Sequence, residues 1–276
     1  MSYNKSLDEG YQSEESFIKP KSSDSFLKEK FSISKLIQKS NIAQVYKGKC
    51  KSTKQPVIIK RSLNSAMSQD EIPLTIKANK IVPKYTLPTL FAASGNKYTI
   101  YVQPEFGVSI LDFMTNRNKS LSVSEAKFIF KQILIALIKL QNAGIYHLDI
   151  KEENILIDPA TYKIKIIDFG SASTKPINQI TGTREFLAPE VLLQDFNKSS
   201  LSKHDVWSFA VTLFSATTGQ FPYKSLKNVL LGKESVDLST FGREYESMIE
   251  VFSFCMILDY KDRCNFCDLL KLEFFN

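Results

Sequence analysis

The hydrophobic pattern of this 276-residue sequence changes its period once, close to Gly107. Before that point, the runs 31–36, 43–50 and 57–60 have the length and the apolar–polar alternation that β-strands show. After it, apolar residues recur every three or four positions, as they do on the buried face of a helix. We therefore predict an α+β fold with a small β-rich unit containing one helix and a larger, mainly helical unit, with a cleft between them.

Local signals also set the limits of single elements. Ser122 and Glu125 have the spacing of a capping box, and the apolar face that follows ends at Gly144, so a helix is predicted between them. Two short apolar strands are predicted on either side of a turn at Asp158-Pro159. The other predicted elements are strands at 89–93, 98–102, 154–157 and 164–167, one helix between Met67 and Ile81, and helices at 205–217 and 245–258.

The first 28 residues differ in composition from the rest. They hold seven serines and many charges but few large apolar side chains. Such a segment buries too little surface to offset the entropy lost on ordering, so residues 1–28 are predicted to form a flexible tail. The folded part is predicted over 29–276, with a smaller lobe at about 29–105 and a larger lobe at about 106–276.

Charge and hydropathy narrow the classes of function. The sequence has no run of eighteen or more apolar residues and begins without a secretory pattern, so we expect no membrane span and a cytoplasmic or nuclear location. Residues 31–276 contain 31 basic and 23 acidic residues, a net charge of +8 that suits anionic nucleotides or acidic substrates. Basic clusters interleaved with aromatic residues are missing from the sequence, so nucleic-acid binding is disfavoured.

Cysteine usage fits a reducing compartment. The four cysteines, Cys50, Cys255, Cys264 and Cys267, are too few and too scattered for a disulfide framework. Cys264 and Cys267 form a single C-x-x-C pair, without the second pair or the nearby histidine in sequence that a zinc site requires. We therefore expect free thiols on a short C-terminal helix.

Polar residues flank the two predicted strands at 154–157 and 164–167. If these strands pair in antiparallel fashion, Asn154 at the start of the first and Asp168 after the second come together. A carboxylate, a carboxamide and a nearby lysine are what a Mg²⁺–phosphate site needs, because the metal takes hard oxygen ligands and the phosphate takes a cation. Asp149, just upstream, is placed to accept a proton from an attacking hydroxyl.

These residues belong to a longer, ordered set of motifs. The set consists of Val57-Ile58-Ile59-Lys60, His147-Leu148-Asp149-Ile150-Lys151-Glu152-Glu153-Asn154, Asp168-Phe169-Gly170, Gly182-Thr183-Arg184-Glu185-Phe186-Leu187-Ala188-Pro189-Glu190, Asp205-Val206-Trp207-Ser208 and Arg263. In this order the motifs resemble those of eukaryotic protein kinases, and Lys151 with Thr183 resembles the serine/threonine type. The resemblance spans about residues 31–276 and implies a bilobal protein kinase fold, ATP and Mg²⁺ as cofactors, and a protein substrate.

The resemblance implies a role for each matched residue of the catalytic segment. Asp149 is expected to orient the substrate hydroxyl and accept its proton, and Lys151 to approach the γ-phosphate. Asn154 and Asp168 are expected to hold Mg²⁺, and Lys60 to bind the α- and β-phosphates. Val45, Leu156 and Glu105 are expected to bind the rest of the nucleotide, the first two by sandwiching the adenine and Glu105 from the hinge.

The resemblance also implies structural roles for buried residues. Glu190 is expected to pair with Arg263 in a structural ion pair, and Asp205 to brace the catalytic segment by accepting backbone hydrogen bonds. His147 is expected to pack against Phe169 and support it, since a structural role accounts for it without acid–base work.

Three features of the sequence depart from the family pattern. The phosphate-covering loop at 37–45 contains no glycine, and Gln38, Ser40 and Ala43 stand where glycines are expected. Close approach of backbone amides to phosphate favours glycine, so weaker or slower ATP binding is expected. Ile58 replaces the small residue that roofs the adenine. Leu148 replaces the arginine that receives a phosphate on the activation segment, the chain between Asp168-Phe169-Gly170 and Ala188-Pro189-Glu190, so control by such a phosphate is not expected.

The helix glutamate that should pair with Lys60 is also displaced. Counting back from Leu87-Pro88 puts its position near Ala78, whereas the nearest acidic candidate is Glu71, eleven residues after Lys60. Glu71 either pairs with Lys60 from a shifted helix or caps the helix N-terminus together with Ser68.

Three hypotheses about function follow from these residues. The first is an active serine/threonine kinase, which the intact set of Lys60, Asp149, Lys151, Asn154 and Asp168 favours. The second is a pseudokinase that serves as a scaffold or allosteric partner, which the glycine-free loop, the displaced helix glutamate and Ile58 favour. The third, a basic nucleic-acid binder, rests on charge alone.

Overall fold

The computed structural model describes residues 23–64, 70–177, 179–194, 198–231, 233, 242 and 245–276. The chain divides into two compact units, one formed by residues up to 67 together with 89–105, the other by residues 68–88 together with 106–276. The first contains a five-stranded sheet and the second is mainly helical, so the predicted α+β fold is confirmed. The helix predicted between Met67 and Ile81 groups with the second unit, although the predicted lobe limits placed it with the sheet.

The first unit is an antiparallel sheet preceded by one short helix. Its elements are α1 (Ser23–Lys30), β1 (Phe31–Lys39), β2 (Ala43–Cys50), β3 (Pro56–Leu63), β4 (Phe91–Ser94) and β5 (Tyr98–Pro104). The spatial order of the strands is β1-β2-β3-β5-β4, with every neighbouring pair antiparallel. Val57 and Ile59 of β3 and Ile100 and Val102 of β5 are buried on one face, because alternate residues of a strand share a face.

The segment predicted as a flexible tail overlaps the beginning of this unit. Residues 1–22 lie outside the described part of the chain, whereas 23–28 belong to α1. Leu27 is buried in the same cluster as Phe31, so this helix covers one edge of the apolar face of the sheet.

The second unit contains the remaining elements. They are α2 (Glu71–Ile81), β6 (Val108–Ser109), α3 (Ile110–Arg117), α4 (Val123–Asn142), β7 (Ile155–Ile157), β8 (Ile164–Ile166), α5 (Pro189–Leu192), α6 (Lys198–Thr218), α7 (Leu226–Leu230), α8 (Glu246–Cys255) and α9 (Phe266–Leu269). Single 3₁₀ turns occur at Glu152–Asn154, Phe169–Ser171, Arg184–Phe186 and Glu273–Phe275. None of the helices described is both long enough and apolar enough to cross a membrane.

Helix α4 begins and ends as the sequence predicts. The Ser122 side chain accepts from the Glu125 amide, while the Glu125 carboxylate accepts from the Ser122 amide at 2.8 Å, which confirms the capping box. Gly144 follows the helix with a φ of 72°, a conformation that glycine adopts without strain.

Helix α6 forms the centre of the second unit. Val206, Phe209 and Leu213 belong to the main hydrophobic core, which also contains the buried face of α4. Trp207 and Val211 belong to a second cluster with residues of the segment 186–191. A helix that is apolar on most of its circumference must be buried, so α6 joins the two clusters and positions the polar residues at its N-terminal end.

Candidate active site

The hairpin of β7 and β8 fixes the two predicted metal ligands at one end. The strands pair in antiparallel fashion, with Ile155 opposite Ile166. The amide of Ile167 donates to the carbonyl of Asn154 at 2.9 Å. Asn154, which precedes β7, and Asp168, which follows β8, therefore lie at the same end of the hairpin, as the spacing predicted.

Asp149 is the centre of a network of four polar side chains. Its Oδ1 accepts from Thr183 Oγ1 at 2.7 Å, and its Oδ2 accepts from Asn154 Nδ2 at 2.9 Å. Lys151 Nζ lies 3.1 Å from Asp149 Oδ2 and donates to Thr183 Oγ1 at 2.5 Å. The carboxylate is only 14% exposed, so these contacts replace most of its hydration and fix its orientation.

The same contacts set the charge state of Asp149. Burial alone would raise the pKa of this carboxyl group, because the charged form loses hydration. The hydrogen bond from Thr183 and the positive charge of Lys151 outweigh burial and hold the pKa below its ordinary value. Asp149 is therefore a carboxylate at neutral pH.

The orientation of Asn154 is determined by Asp149. The Asn154 Nδ2 group donates to both the backbone carbonyl of Asp149, at 2.8 Å, and its side chain. Both amide hydrogens are directed to Asp149, so the side-chain carbonyl oxygen is the atom that can meet a cation. The 3₁₀ turn over Glu152–Asn154 places this side chain within reach of Asp149.

Thr183 was not among the predicted site residues, although it stands in one of the quoted motifs. It is thirty-four residues after Asp149 in sequence, and its hydroxyl group bridges Asp149 and Lys151. The motif that contains Thr183 indicated the protein family. The contacts of Thr183 with Asp149 and Lys151 depend on the tertiary fold and could not be read from the sequence.

Asp205 holds the backbone of the catalytic segment. Its Oδ2 accepts from the His147 amide at 2.9 Å and its Oδ1 from the Leu148 amide at 2.8 Å, which confirms the predicted bracing role. Asp205 is fully buried in the first half of α6. Two charge-assisted hydrogen bonds from a rigid helix fix the two residues that precede Asp149.

Leu148 is held in an uncommon conformation. Its φ is 62°, in the left-handed region that costs a leucine roughly 1–2 kcal/mol. The side chain is fully buried in a small apolar cluster with Tyr146 and Leu201, and Ile177 packs against this cluster. The cluster that contains Leu148, the residue in place of the expected arginine, therefore packs against Ile177 of the activation segment.

His147 has the packing role that the sequence predicts. Its ring centroid lies 5.0 Å from that of Phe169, and its Nε2 lies 3.1 Å from the carbonyl oxygen of Ile167. His147 and Phe169 are each 1% exposed. This contact packs the catalytic segment, through His147, against the Asp-Phe-Gly motif, through Phe169.

The Asp-Phe-Gly motif contains a second left-handed residue. Asp168 has a φ of 62°, and its Oδ1 accepts from the Gly170 amide at 3.3 Å. A Cβ added to Gly170 would lie 3.1 Å from Asp168 Oδ1 and 3.3 Å from Glu71 Oε2. Glycine at position 170 thus allows the carboxylates of Glu71 and Asp168 to flank the backbone closely.

Helix α2 contains both positions considered for the glutamate that pairs with Lys60. Ala78 lies in the C-terminal half of the helix and is fully buried, whereas Glu71 is its first residue and is 4% exposed. Asp70 occupies the N-cap position without a side-chain capping bond, and Ser68 lies outside the described residues. The pairing of Glu71 with Lys60 stays a prediction.

The predicted nucleotide-binding residues of the first unit lie on neighbouring strands. Lys60 of β3 is opposite Val45 of β2 and Tyr101 of β5. Its Nζ lies 5.6 Å from the centroid of the Tyr101 ring, within the range of a cation–π contact. Gln38 of β1 is opposite Val45, so these side chains occupy one region of the sheet.

The turn between β1 and β2 has the position of the expected glycine loop. The Ser40 amide donates to the Ala43 carbonyl at 2.8 Å. Ser40 Oγ accepts from the amides of Ile42, at 3.3 Å, and Ala43, at 3.0 Å. The Ser40 hydroxyl group therefore accepts hydrogen bonds from the amides of Ile42 and Ala43. With glycine at position 40, these two amides would need a different acceptor.

Glu105 and Leu156 complete the predicted set. Glu105 follows β5 and forms a 2.5 Å ion pair with Lys47, while its amide donates to the Pro56 carbonyl at 3.0 Å. Leu156 is the half-exposed middle residue of β7 in the second unit. Their roles in nucleotide binding remain predictions.

Glu190 and Arg263 form the predicted buried ion pair. Arg263 donates from Nη1 to Glu190 Oε1 at 2.8 Å and from Nη2 to Oε2 at 3.0 Å. Its guanidinium carbon lies 5.1 Å from the centroid of the Trp207 ring. This two-pronged pair connects α5 to the segment before α9.

Comparison with known proteins agrees with this geometry. The family model described as the protein kinase domain matches residues 31–275. The chain belongs to the protein kinase family. The prediction made from the ordered motifs is thus confirmed at the level of the family.

Individual relatives cover parts of this kinase domain. Serine/threonine-protein kinase pim-2 of Danio rerio is 35% identical over 52% of this chain and 47% of its own length. Sperm motility kinase 3A of Mus musculus is 40% identical over 48% of this chain and 27% of its own. The chain therefore matches less than half of the length of these curated relatives.

A solved structure shares the fold. The structure of the Cydia pomonella granulovirus kinase PK-1 matches with a TM-score of 0.77 at 17% identity, covering 92% of this chain and 97% of the other. At this identity the match supports the kinase fold alone.

Proposed function

We propose that this kinase domain is a catalytically active serine/threonine protein kinase, which transfers the γ-phosphate of Mg-ATP to a hydroxyl group of a protein substrate. The observation that carries the proposal is the network of Asp149, Lys151, Asn154 and Thr183. Asp149, Lys151 and Asn154 are residue types that phosphoryl transfer uses, Thr183 bridges two of them, and the four side chains are joined by contacts of 2.5–3.1 Å.

Asp149 orients the attacking hydroxyl group. Because its pKa is lowered, the carboxylate is charged and accepts a hydrogen bond from the substrate hydroxyl before transfer. A carboxylate of low pKa is a weak base, so the proton moves to it late, as the hydroxyl oxygen bonds to phosphorus. Its main contribution is therefore to position the nucleophile.

Lys151 supplies positive charge next to this carboxylate. Its ammonium group is tethered to Asp149 and Thr183, and its side chain is only 17% exposed. A fixed cation at this point stabilises the negative charge on the transferred phosphoryl group without reorganisation during the reaction.

The donor set near the β7–β8 hairpin fits Mg²⁺. The carbonyl oxygen of Asn154 and the carboxylate of Asp168 are hard oxygen ligands, and Mg²⁺ in such sites takes one or two protein ligands together with substrate phosphates. When bound, the metal neutralises phosphate charge. Lys60 of the sheet would bind the α- and β-phosphates.

Specificity for serine and threonine is inferred from Lys151 and Thr183. The contact between the two side chains bridges the catalytic segment and the end of the activation segment, next to the place where the substrate hydroxyl must lie. The names of the relatives from Danio rerio and Saccharomyces cerevisiae, which are serine/threonine-protein kinases, support the same assignment.

A pseudokinase is the second candidate. The Ser40 turn favours it, because amides that contact phosphate in a glycine-rich loop are bonded to Ser40 Oγ. Ala78 favours it as well, because α2 has an alanine near the position where the glutamate that pairs with Lys60 is expected. In this case the domain would act as a scaffold or an allosteric partner.

Phosphoryl transfer from γ-labelled ATP with Mg²⁺ to a panel of protein substrates tests the proposal. We expect transfer by the wild-type chain and losses of at least about 100-fold in Asp149→Asn and Lys60→Met. Asp112→Asn, an exposed change on α3, is the matched control and should keep wild-type activity.

Two results would decide against activity. If the wild-type chain neither transfers phosphate nor shows a thermal shift with Mg-ATP, the proposals of phosphoryl transfer and of nucleotide binding are both wrong. A thermal shift without transfer, in protein whose far-ultraviolet circular dichroism is native, would instead identify an ATP-binding pseudokinase.

A further inference from the structure

Two cysteines that are nine positions apart in sequence meet at the base of one loop. Cys255 is the last residue of α8, and Cys264 lies two residues before α9. Their sulfur atoms are 3.9 Å apart, and the Cys264 amide donates to the carbonyl of Phe254 at 3.2 Å. Residues 256–263 form the loop that this contact closes.

The two thiols differ in their exposure. Cys255 is fully buried, whereas Cys264 is partly exposed to solvent. Cys267, the other member of the C-x-x-C pair, is exposed on α9. A small oxidant can therefore reach Cys264, while Cys255 is accessible chiefly to a neighbouring sulfur atom.

The surroundings of Cys264 favour a thiolate. The hydrogen bond from Cys255 lowers the pKa of Cys264, burial opposes this, and the positive charge of Lys203 lowers it further. Lys203 Nζ is held nearby, since it donates to the carbonyl oxygens of Arg263 and Cys264. Burial raises the pKa of Cys255, so this residue stays a thiol and remains the donor of the pair.

We propose that Cys264 and Cys255 form a redox site, in which Cys264 reacts with peroxide and Cys255 resolves the product to a disulfide. This site lies outside the phosphoryl-transfer network and does not depend on the proposed kinase activity.

The chemistry balances with hydrogen peroxide as the oxidant. The Cys264 thiolate attacks one peroxide oxygen, the O–O bond breaks, and the departing hydroxide takes up a proton, which leaves a sulfenic acid on Cys264. The sulfur of Cys255 then attacks the sulfur of Cys264, the S–O bond breaks and water leaves. The sum is two thiols and one peroxide giving one disulfide and two waters, and a dithiol reductant reverses it.

The position of the loop gives this bond a structural consequence. The loop contains Ile257, whose carbonyl oxygen accepts from Arg263 Nε at 3.1 Å and Nη2 at 2.8 Å. Arg263 in turn holds Glu190 of α5. A disulfide at the base of the loop limits the freedom of the chain on both sides of Arg263, and it does so most in the unfolded state.

Mass spectrometry of peroxide-treated protein tests the site directly. Cys50→Ser/Cys267→Ser is the parent, because hydrogen bonds from Ser52 and Thr53 outweigh burial and lower the pKa of Cys50 to about 7, which would make it a competing thiol. We expect the reduced parent to lose two alkylatable thiols and about 2 Da on treatment with hydrogen peroxide, and to yield a peptide pair linked through 255 and 264. Dithiothreitol should restore both thiols.

The matched variant adds Cys255→Ala to this parent. Without the resolving thiol, oxidation should stop at the sulfenic acid, which dimedone traps on Cys264. Parent protein in which Cys264 stays reduced, or is oxidised without a link to Cys255, would overturn the proposal. So would wild-type protein in which Cys264 links mainly to Cys267.

Thermal unfolding tests the structural consequence. We expect Tm of the oxidised parent to exceed that of the reduced parent by a few degrees, with no difference in the variant that lacks Cys255. An equal or lower Tm after complete cross-linking would show that the bond does not support the loop around Arg263.

Discussion

The hydroxyl group of Thr183 is bonded to both Asp149 and Lys151, so its removal affects at once two side chains that the proposed reaction uses. We expect Thr183→Val to lower kcat about 10- to 100-fold with little change in the KM for ATP, because it misplaces the nucleophile-orienting group and leaves the nucleotide contacts intact. Steady-state phosphorylation kinetics measures both parameters. Thr183→Ser keeps the hydroxyl group and should retain most of the activity. Equal losses in the valine and serine variants would contradict this role.

Glu152 is a buried carboxyl group three residues after Asp149. Burial raises its pKa from 4.5 to about 7, although the hydrogen bond from Ser215 opposes this. The folded state thus retains a proton that the unfolded state loses above pH 4.5, so the free energy of unfolding falls as pH rises from about 4.5 to 7. The cost above pH 7 is on the order of 3 kcal/mol.

Glu152→Gln should remove this dependence. Glutamine is neutral at every pH and its carbonyl oxygen can still accept from Ser215, so the variant should be more stable than the wild type above pH 7 and similar to it near pH 4.5. Urea unfolding at several pH values measures the difference. A constant difference across the whole range would show that Glu152 does not titrate in this way.

At the residue scale, the sequence predicted the placement of residues in local motifs and missed side-chain contacts between separate segments. Asp149, Asn154 and Asp168 follow from spacing around one hairpin, which local pairing determines. Thr183 bridges Asp149 and Lys151, and Cys255 meets Cys264, only because chain segments that are distant or looped return to the same place. No periodicity in the sequence encodes such a return.

Two glycines have left-handed backbone conformations but differ in the space around them. Substitutions at these two positions therefore distinguish the cost of backbone strain from the cost of steric overlap. Gly182 has a φ of 97°, and a Cβ added to it would lie 2.4 Å from the Leu148 carbonyl oxygen. Gly144, with a φ of 72°, has no atom within 4 Å of such a Cβ. The first position should therefore suffer both strain and overlap, and the second only strain.

Replacement of each glycine by alanine tests this distinction. Gly144→Ala should lower the free energy of unfolding by about 1 kcal/mol, and Gly182→Ala by about 3 kcal/mol or more, because the Leu148 carbonyl belongs to backbone that Asp205 holds in place. Chemical denaturation measures both values. Similar losses in the two variants would mean that the segment at 182 moves away at little cost.

Elements with strong local signals were predicted well. The alternating strands of the first unit and the capping box of α4 are set by neighbours in sequence, which makes them readable. Helix α1 was missed because it is polar on average and is stabilised by the burial of Leu27 against the sheet. Tertiary packing, more than local sequence preference, stabilises this helix, as it does many short helices.

The ion pair of Glu190 and Arg263 connects parts of the fold that are 73 residues apart. Breaking a buried pair leaves an uncompensated charge, so Arg263→Met should cost about 3–5 kcal/mol of unfolding free energy. Glu190→Gln should cost less, because Arg263 keeps its bonds to the carbonyl oxygens of Ile257 and Lys203. The double variant should be less destabilised than the sum of the two, which a double-mutant cycle by urea unfolding measures. Strict additivity would contradict direct coupling.

The grouping of α2 marks the limit of prediction at the scale of the molecule. The change from strand-like to helix-like hydrophobic patterns predicted the two units. A prediction in which each lobe is one continuous stretch of sequence could not assign α2 correctly, because this helix lies in sequence between strands of the sheet. Leu74 and Ala78 of α2 lie in the main core of the second unit, and Ile166 of β8 bridges to Thr86 just after the helix. These long-range contacts decide the assignment.

The apolar cluster around Leu148 has a consequence for the way the proposed kinase would be controlled. The contact between this residue's cluster and Ile177 is between hydrocarbon groups and involves no phosphate. An upstream kinase is not needed to create it, and a phosphatase cannot erase it. In the proposed kinase, hydrocarbon packing would thus support the chain near Ile177 in place of the phosphate that an arginine at position 148 would bind.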